Sequence, residues 1–181
     1  MNKILVLLAE GFEEVEALLV VDFLRRLNFE VDLVSVGNSR DVAGSHGIKV
    51  IADLKLVETD EVYDGIVLPG GMPGSANLRD NNLVIMLIKK FYNESKLVAA
   101  ICAAPIALYK AGVLKGKKHT AHPSVKDTFV GSIYTGARVE ICGNIITGKG
   151  PGASAEFAME IARYFGSVDE AEKLYYDMMF N

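Results

Sequence analysis

Cysteine is scarce: two residues in a chain of 181, Cys102 at the end of an apolar run and Cys142 beside a turn. That excludes a disulfide framework as the basis of the fold. These two cysteines and the three histidines, His46, His119 and His122, show no zinc-ligand spacing, so no metal is expected. There is no basic surplus either. Lys and Arg number 19 against 23 Asp and Glu, a net charge of -4, and the longest basic stretch is KGKK at Lys115–Lys118. A phosphate backbone would find no continuous positive face, and nucleic acid is not an expected partner. No segment reaches the roughly 18 consecutive apolar residues of a membrane helix. The first apolar run, Ile4–Ala9, is too short for a signal peptide and is followed at once by acidic residues. The expectation is a soluble protein of a reducing compartment, cytoplasmic, with no membrane partner. Neither GxxxxGK[ST] nor GxGxxG occurs, and internal repeats, low-complexity tracts and linkers are absent, so residues 1–181 read as one domain.

What the chain does contain is an alternation of strand and helix patterns. Lys3–Leu8 (KILVLL) suits a strand buried on both faces, as in a parallel sheet. Glu13–Leu27 carries helical spacing, and Phe29–Val36 alternates as a second strand. Residues 38–47 are a polar loop, and Ile48–Ile51 is a short strand, one arm of a hairpin beginning near Val42. A loop with a short helix covers 52–63, Asp64–Leu68 is a strand, Asn82–Tyr92 a helix, and Leu97–Ile101 another fully apolar strand. A short strand falls within 114–120. Residues 138–142 and 145–147 form a hairpin about Gly143-Asn144, which makes Cys142 structural. Helices at 154–165 and 169–180 close the chain. The alternation predicts an α/β fold of flavodoxin-like type: a doubly wound, mostly parallel sheet with helices on both faces.

Four features stand at one edge of such a sheet. Cys102 ends a central strand and precedes a helix pattern at Ala103–Lys110 with Pro105 in its first turn. Unpaired amides and the helix dipole favour a thiolate there. A small buried hydrophobe explains the residue equally well. Glu16 is the one acidic member of the stripe formed by positions 16, 19, 20, 23, 24 and 27. The helix dipole accounts for Glu13 and Glu14, whereas a carboxyl on a buried stripe has its pKa raised and becomes a proton donor near neutral pH. Pro69-Gly-Gly-Met-Pro-Gly74 breaks regular structure after the strand ending at Leu68, and its amides can form an anion-binding nest. His122 lies before Pro123 in a loop, with His119 as its rival for partner of Cys102. His46, in the turn at Gly44–Gly47, reads as a solvated loop residue.

Taken together, GFEEVEA (11–17), VLPGG (67–71), AAICAAPIAL (99–108), AHPSVKD (121–127) and TGKGPGASAEFAMEI (147–161) resemble the ThiJ/PfpI superfamily. The nearest branch is the small one containing the human parkinsonism-linked protein deglycase and its bacterial relatives. The resemblance implies a reactive cysteine at Cys102 in a strained strand-to-helix elbow and a protonated glutamate at Glu16 bonded to the thiolate. It further implies a histidine at His122, backbone amides of Gly71 and Ala103 facing the site, and a homodimer in which a basic residue near His46 reaches across. Protease-like members carry a histidine directly after the cysteine, where this chain has Ala103, which argues against peptidase activity. The implied function is cofactor-independent chemistry on small aldehydes or dicarbonyls, either glyoxalase or deglycase, with Glu16 and His122 both open as the base. The alternative is an oxidative-stress sensor or redox-regulated chaperone acting through oxidation of Cys102.

Overall fold

The computed structural model describes residues 2–59 and 62–180. In chain order its elements are β1 (Lys3–Leu8), α1 (Glu14–Arg26), β2 (Glu30–Ser35), β3 (Asp41–Ala43), β4 (Lys49–Ile51) and β5 (Leu54–Lys55). They continue with β6 (Gly65–Leu68), α2 (Gly74–Asp80), α3 (Asn82–Asn93), β7 (Leu97–Ile101), α4 (Pro105–Lys110), β8 (Lys118–His119) and β9 (Ile133–Tyr134). Last come β10 (Val139–Cys142), β11 (Ile145–Gly148), α5 (Ser154–Tyr164) and α6 (Val168–Asp177). The main sheet has seven strands in the order β10-β11-β7-β6-β1-β2-β5. Every neighbouring pair in it is parallel except the β10–β11 hairpin at one edge. This is the doubly wound, mostly parallel sheet expected from the alternating pattern.

The continuous apolar strands make sense because both faces are covered. In β1, Ile4, Val6 and Leu8 point into a core shared with α1 and α5, through Ala17, Val20, Phe23, Phe157 and Ile161. Leu5 and Leu7 point the other way, into a core with Leu78, Val84, Ile88 and Ala107 from α2, α3 and α4. β7 divides likewise, with Leu97, Ala99 and Ile101 on the first face and Val98 and Ala100 on the second. Strands that lose water on both sides have no use for polar alternation.

Two helices differ most from the sequence reading. Helix α2 was not foreseen, because GSANLRD is short, begins with glycine and carries residues that favour turns. It is fixed by its surroundings, with Ser75 and Leu78 buried. Helix α4 starts two residues later than expected, at Pro105, because Cys102–Ala104 form a tight turn first. Among the described residues no helix is long and apolar enough to cross a membrane. Both cysteines are free.

Candidate active site

β1, β6 and β7 are parallel neighbours, so the loops that follow them emerge at the same edge of the sheet. Backbone hydrogen bonds lock two of them together. Glu13 N–H donates to Gly70 O at 2.9 Å, and Gly74 N–H donates to Gly11 O at 3.1 Å. The third loop carries Cys102. Its φ is +62°, a left-handed conformation that costs a residue with a Cβ about 1–3 kcal/mol and persists only where the surroundings impose it. They do: Cys102 N–H donates to Gly148 O at 2.9 Å, and Cys102 O accepts from His122 N–H at 2.7 Å. The bent backbone lifts the thiol off the end of β7 and leaves it half-buried. The elbow expected from the motif is therefore present.

Glu16 lies beneath it, fully buried on the first turns of α1. Its Oε2 accepts from Gly70 N–H at 2.7 Å. Its Oε1 has no regular hydrogen-bond partner among the described residues, while the carboxyl is close enough to the thiol for the two to titrate together. Burial pushes the Glu16 carboxyl up to about 7, against the smaller opposing effects of Cys102 and the Gly70 amide. Burial, then the adjacent Glu16 charge, pushes the Cys102 thiol up to about 12, opposed by the backbone amides of Gly71 and Ala103. Two anions side by side in a desolvated pocket are costly, so the pair releases its second proton with great difficulty. Above about 7 the pair holds one proton, and it belongs to the pair rather than to either residue.

Glycine at position 70 is a steric requirement. A Cβ there would come within 2.5 Å of both Cys102 Cβ and Glu16 Oε2. Gly71, at φ +86°, has Glu13 N, Gly11 O and Phe12 C within 2.6 Å of where its Cβ would be. The two glycines let one strand-end loop pass between the nucleophile and the acid.

His122 is beside the elbow through its backbone, but its ring looks elsewhere. Nδ1 accepts from Ser124 N–H at 3.2 Å and lies 2.8 Å from Ser124 Oγ. An amide can only donate, so Nδ1 is the unprotonated nitrogen and, in the neutral ring, the proton sits on Nε2. Among the described residues no hydrogen bond joins this ring to the thiol. His119 resolves as a core residue: it is fully buried, its ring nitrogens have no regular side-chain partner among the described residues, with only the Lys117 backbone near enough to bear on the ring, and it packs against Phe129 with centroids 4.4 Å apart. Burial lowers its pKa.

Glu14 was missed by the sequence reading, which assigned it to the helix dipole. It is nearly buried and accepts from His46 N–H at 2.7 Å, with His46 Nδ1 2.9 Å away. Burial acts to raise its pKa, but the bonds from the His46 ring and from the His46 and Ile48 amides outweigh it and hold the carboxyl at about 2. His46 is solvent-exposed as expected of a loop histidine, yet it is not unattached, and the Glu14 contact raises its pKa. Sequence spacing suggests no carboxylate cluster around a histidine. The fold makes one, since donor atoms of Glu13, Glu14 and His46 lie within 4.8 Å of one another. The signal available in the sequence was the EE pair at the helix start facing a turn histidine, which only topology brings together.

Residues 2–164 match the DJ-1/PfpI family. Protein DJ-1 homolog B of Arabidopsis thaliana is 39% identical over 165 residues, 90% of this chain and 38% of its own length. The chain thus spans well under half of that longer relative. Among solved structures, a DJ-1 superfamily protein of Salmonella typhimurium, crystallised as a cysteine-to-alanine variant, is 36% identical with a TM-score of 0.95 over 100% of both chains. Toxoplasma gondii DJ-1 in an oxidized form is 35% identical with a TM-score of 0.95 over 99% of both chains.

Proposed function

The chain belongs to the DJ-1/PfpI family, and from that premise we propose that it is a cofactor-independent cysteine enzyme converting small reactive dicarbonyls such as methylglyoxal to 2-hydroxy acids. The carrying observation is the left-handed Cys102 set against a buried carboxyl with which it shares a proton. In the reactive form the sulfur is the anion and Glu16 is the acid. The thiolate attacks the aldehyde carbon, forming the C–S bond, while Glu16 gives its proton to the carbonyl oxygen. The amides of Gly71 and Ala103 face the sulfur, which supports their steadying the developing oxyanion, worth roughly 2.7–4 kcal/mol per donor in other enzymes. Glu16, now a carboxylate, removes the proton from the former aldehyde carbon and returns it to the adjacent one, while the hydroxyl proton on the first oxygen passes to the second. The product is a thioester of the 2-hydroxy acid. Water cleaves it, releasing the acid and restoring one proton to the pair.

Glu16 is favoured over His122 as the proton carrier. Its pKa lies near operating pH, as efficient proton transfer requires, whereas the acceptor nitrogen of His122 is occupied by Ser124. His122 is then a positioning residue whose amide holds the Cys102 carbonyl. Lactate formation from methylglyoxal should fall to background in Cys102→Ala, by at least a hundredfold in Glu16→Gln, and by less than tenfold in His122→Ala. Wild type no faster than Cys102→Ala overturns the reading. Deglycase activity would use the same residues on adducts of these aldehydes.

A second reading is favoured by one observation, the half-exposed thiol beside a carboxyl oxygen without a regular partner. A peroxide could oxidise the sulfur to a sulfinate that a protonated Glu16 bonds. A gain of two oxygens on Cys102 under mild peroxide, with no turnover of dicarbonyls, would establish the sensor in place of the enzyme. A homodimer and a reducing, cytoplasmic setting for the free thiol complete the proposal.

A further inference from the structure

A second concavity, whose lining includes none of Gly70, Gly71, Glu16 and Cys102, lies along the helix that follows Cys102. It has a volume of about 540 Å³ and is lined by Arg79 from α2, Ile106, Tyr109 and Lys110 from α4, Lys115 between α4 and β8, and Thr128 and Val130 between β8 and β9. That size falls within the range of small-molecule sites. Three cations line it and no carboxylate does, in a chain whose net charge is -4. The nearest counter-charge is Asp80, which takes a two-pronged bond from Arg79 (Nε to Oδ1 2.8 Å, Nη2 to Oδ2 2.7 Å). Lys110 also acts on Asp80 electrostatically. Neither Lys110 nor Lys115 forms an ion pair among the described residues.

The rest of the lining is mainly apolar, with Thr128 as a further polar member, and it is fixed in place. Tyr109 Oη donates to Val130 O at 3.3 Å, Gly116 N–H donates to Gly131 O at 2.7 Å, and Ser132 Oγ donates to Phe129 O at 2.9 Å. The wall is therefore tied to α4 and to the loop after it, although Val130 itself is 78% exposed. Ile106 is buried, and the Tyr109 ring stands edge-on to Phe129. A cavity with apolar side chains on one wall and three cations in its lining suits a molecule with an apolar body and a concentrated negative head.

We propose that this cavity is a binding site for aromatic phosphate monoesters, with the ring against Ile106, Tyr109 and Val130 and the phosphate between Lys110, Lys115 and Arg79. A phosphate suits the site better than a carboxylate. It carries close to two charges at neutral pH and three oxygens for separate cations, and Arg can engage it with two N–H groups.

The probe is 1-naphthyl phosphate, whose fluorescence can be followed directly because the chain has no tryptophan. Saturable binding at sub-millimolar concentration is expected, at least tenfold tighter than inorganic phosphate or 1-naphthol and several-fold tighter than 1-naphthoate. The double variant Lys110→Glu/Lys115→Glu should weaken it at least tenfold, and Val130→Glu, which puts a carboxylate on the exposed apolar wall, should do the same. Circular dichroism and the rate of Cys102 alkylation by iodoacetamide should remain at wild-type values in all three proteins, whatever chemistry Cys102 performs. Binding of the ester no tighter than inorganic phosphate, or unchanged in both variants, overturns the proposal.

Discussion

At the residue scale the site reduces to one shared proton. If the thiol and carboxyl titrated separately, a thiol pushed up to about 12 would be unreactive at neutral pH. If they titrate as a pair, the first proton leaves near about 7, to which burial pushes the Glu16 carboxyl, and the sulfur carries a share of the charge from there upward. The rate of iodoacetamide alkylation against pH should accordingly reach half its plateau at or below about 7, not at the roughly 8.5 of a free thiol. A midpoint above 8.5 would show the sulfur to be inert. Gly70→Ala tests the same geometry by crowding, because its Cβ would press on both Cys102 and Glu16. Overpacking of this kind costs about 1–3 kcal/mol, so the denaturant midpoint should drop and alkylation slow by at least tenfold; an unchanged alkylation rate would mean the loop can yield. Cys102 and Glu16 were legible in the sequence because each breaks a local rule, a thiol where a strand meets a helix and a carboxyl on an apolar stripe. Glu14 was not, since an acid at a helix start needs no further explanation until His46 arrives from a different part of the chain.

At the element scale, the turn between β3 and β4 is held to the start of α1 by Glu14. Besides the Glu14 bonds, Gly11 N–H donates to Ala43 O and Ser45 N–H to Phe12 O, each at 2.8 Å. The pH window of this latch follows from its two partners. Glu14 is held below its ordinary 4.5, so its contribution is present above 4.5 and lost as pH falls toward about 2. His46 is held above its ordinary 6.5, so its contribution is complete below 6.5 and lost as pH rises through the elevated value. The latch is strongest between about pH 4.5 and 6.5. The ¹⁵N-resolved amide of His46 should show one titration toward pH 2 and one above 6.5, and Glu14→Gln should abolish the first. A His46 amide shift that ignores pH below 4.5 would rule out the carboxylate bond. The long elements were readable for a simple reason: β1 and β7 are apolar throughout and α1 and α5 carry a helical stripe, so local pattern and tertiary burial agree. Helix α2 has no such agreement. Seven residues cannot display a helical period, and the burial of Ser75 and Leu78 that holds it depends on partners remote in sequence.

At the scale of the whole molecule, burying the Cys102–Glu16 pair makes stability depend on pH. The folded pair holds its first proton to about 7, whereas an unfolded glutamate releases it near 4.5. Between these values the unfolded chain binds fewer protons, so stability must fall as pH rises from 4.5 to 7, hold, and fall again once an unfolded cysteine ionises near 9.0, because the folded thiol is held up to about 12. The first fall is on the order of 3 kcal/mol, and urea unfolding of Glu16→Gln should show a flatter slope over that interval; parallel curves would mean that Glu16 is already ionised in the fold. The other whole-molecule feature lies on the outer side of α1. There Glu13, Glu14, Val15, Leu18, Leu19, His46 and Ile48 surround a groove of about 400 Å³. Val15 and Ile48 are 44% and 54% exposed, and Ile51 nearby is 73% exposed. Apolar side chains grouped this closely on a chain of net charge -4 mark a surface that gains by being covered. The proposed homodimer, if built on this face, would cover it with its own copy and bring α1 against α1 by two-fold symmetry. The fixed position of His46 on Glu14 would then place the imidazole at the seam between two sites. Sedimentation equilibrium at micromolar concentration should give twice the 19.6 kDa chain mass. Val15→Asp combined with Ile48→Asp should return the protein to a monomer with an unchanged far-ultraviolet dichroism spectrum, because both side chains already face solvent in the single chain. A wild type that sediments as a monomer at those concentrations would remove the dimer, and a dimer untouched by the double substitution would move it to another face.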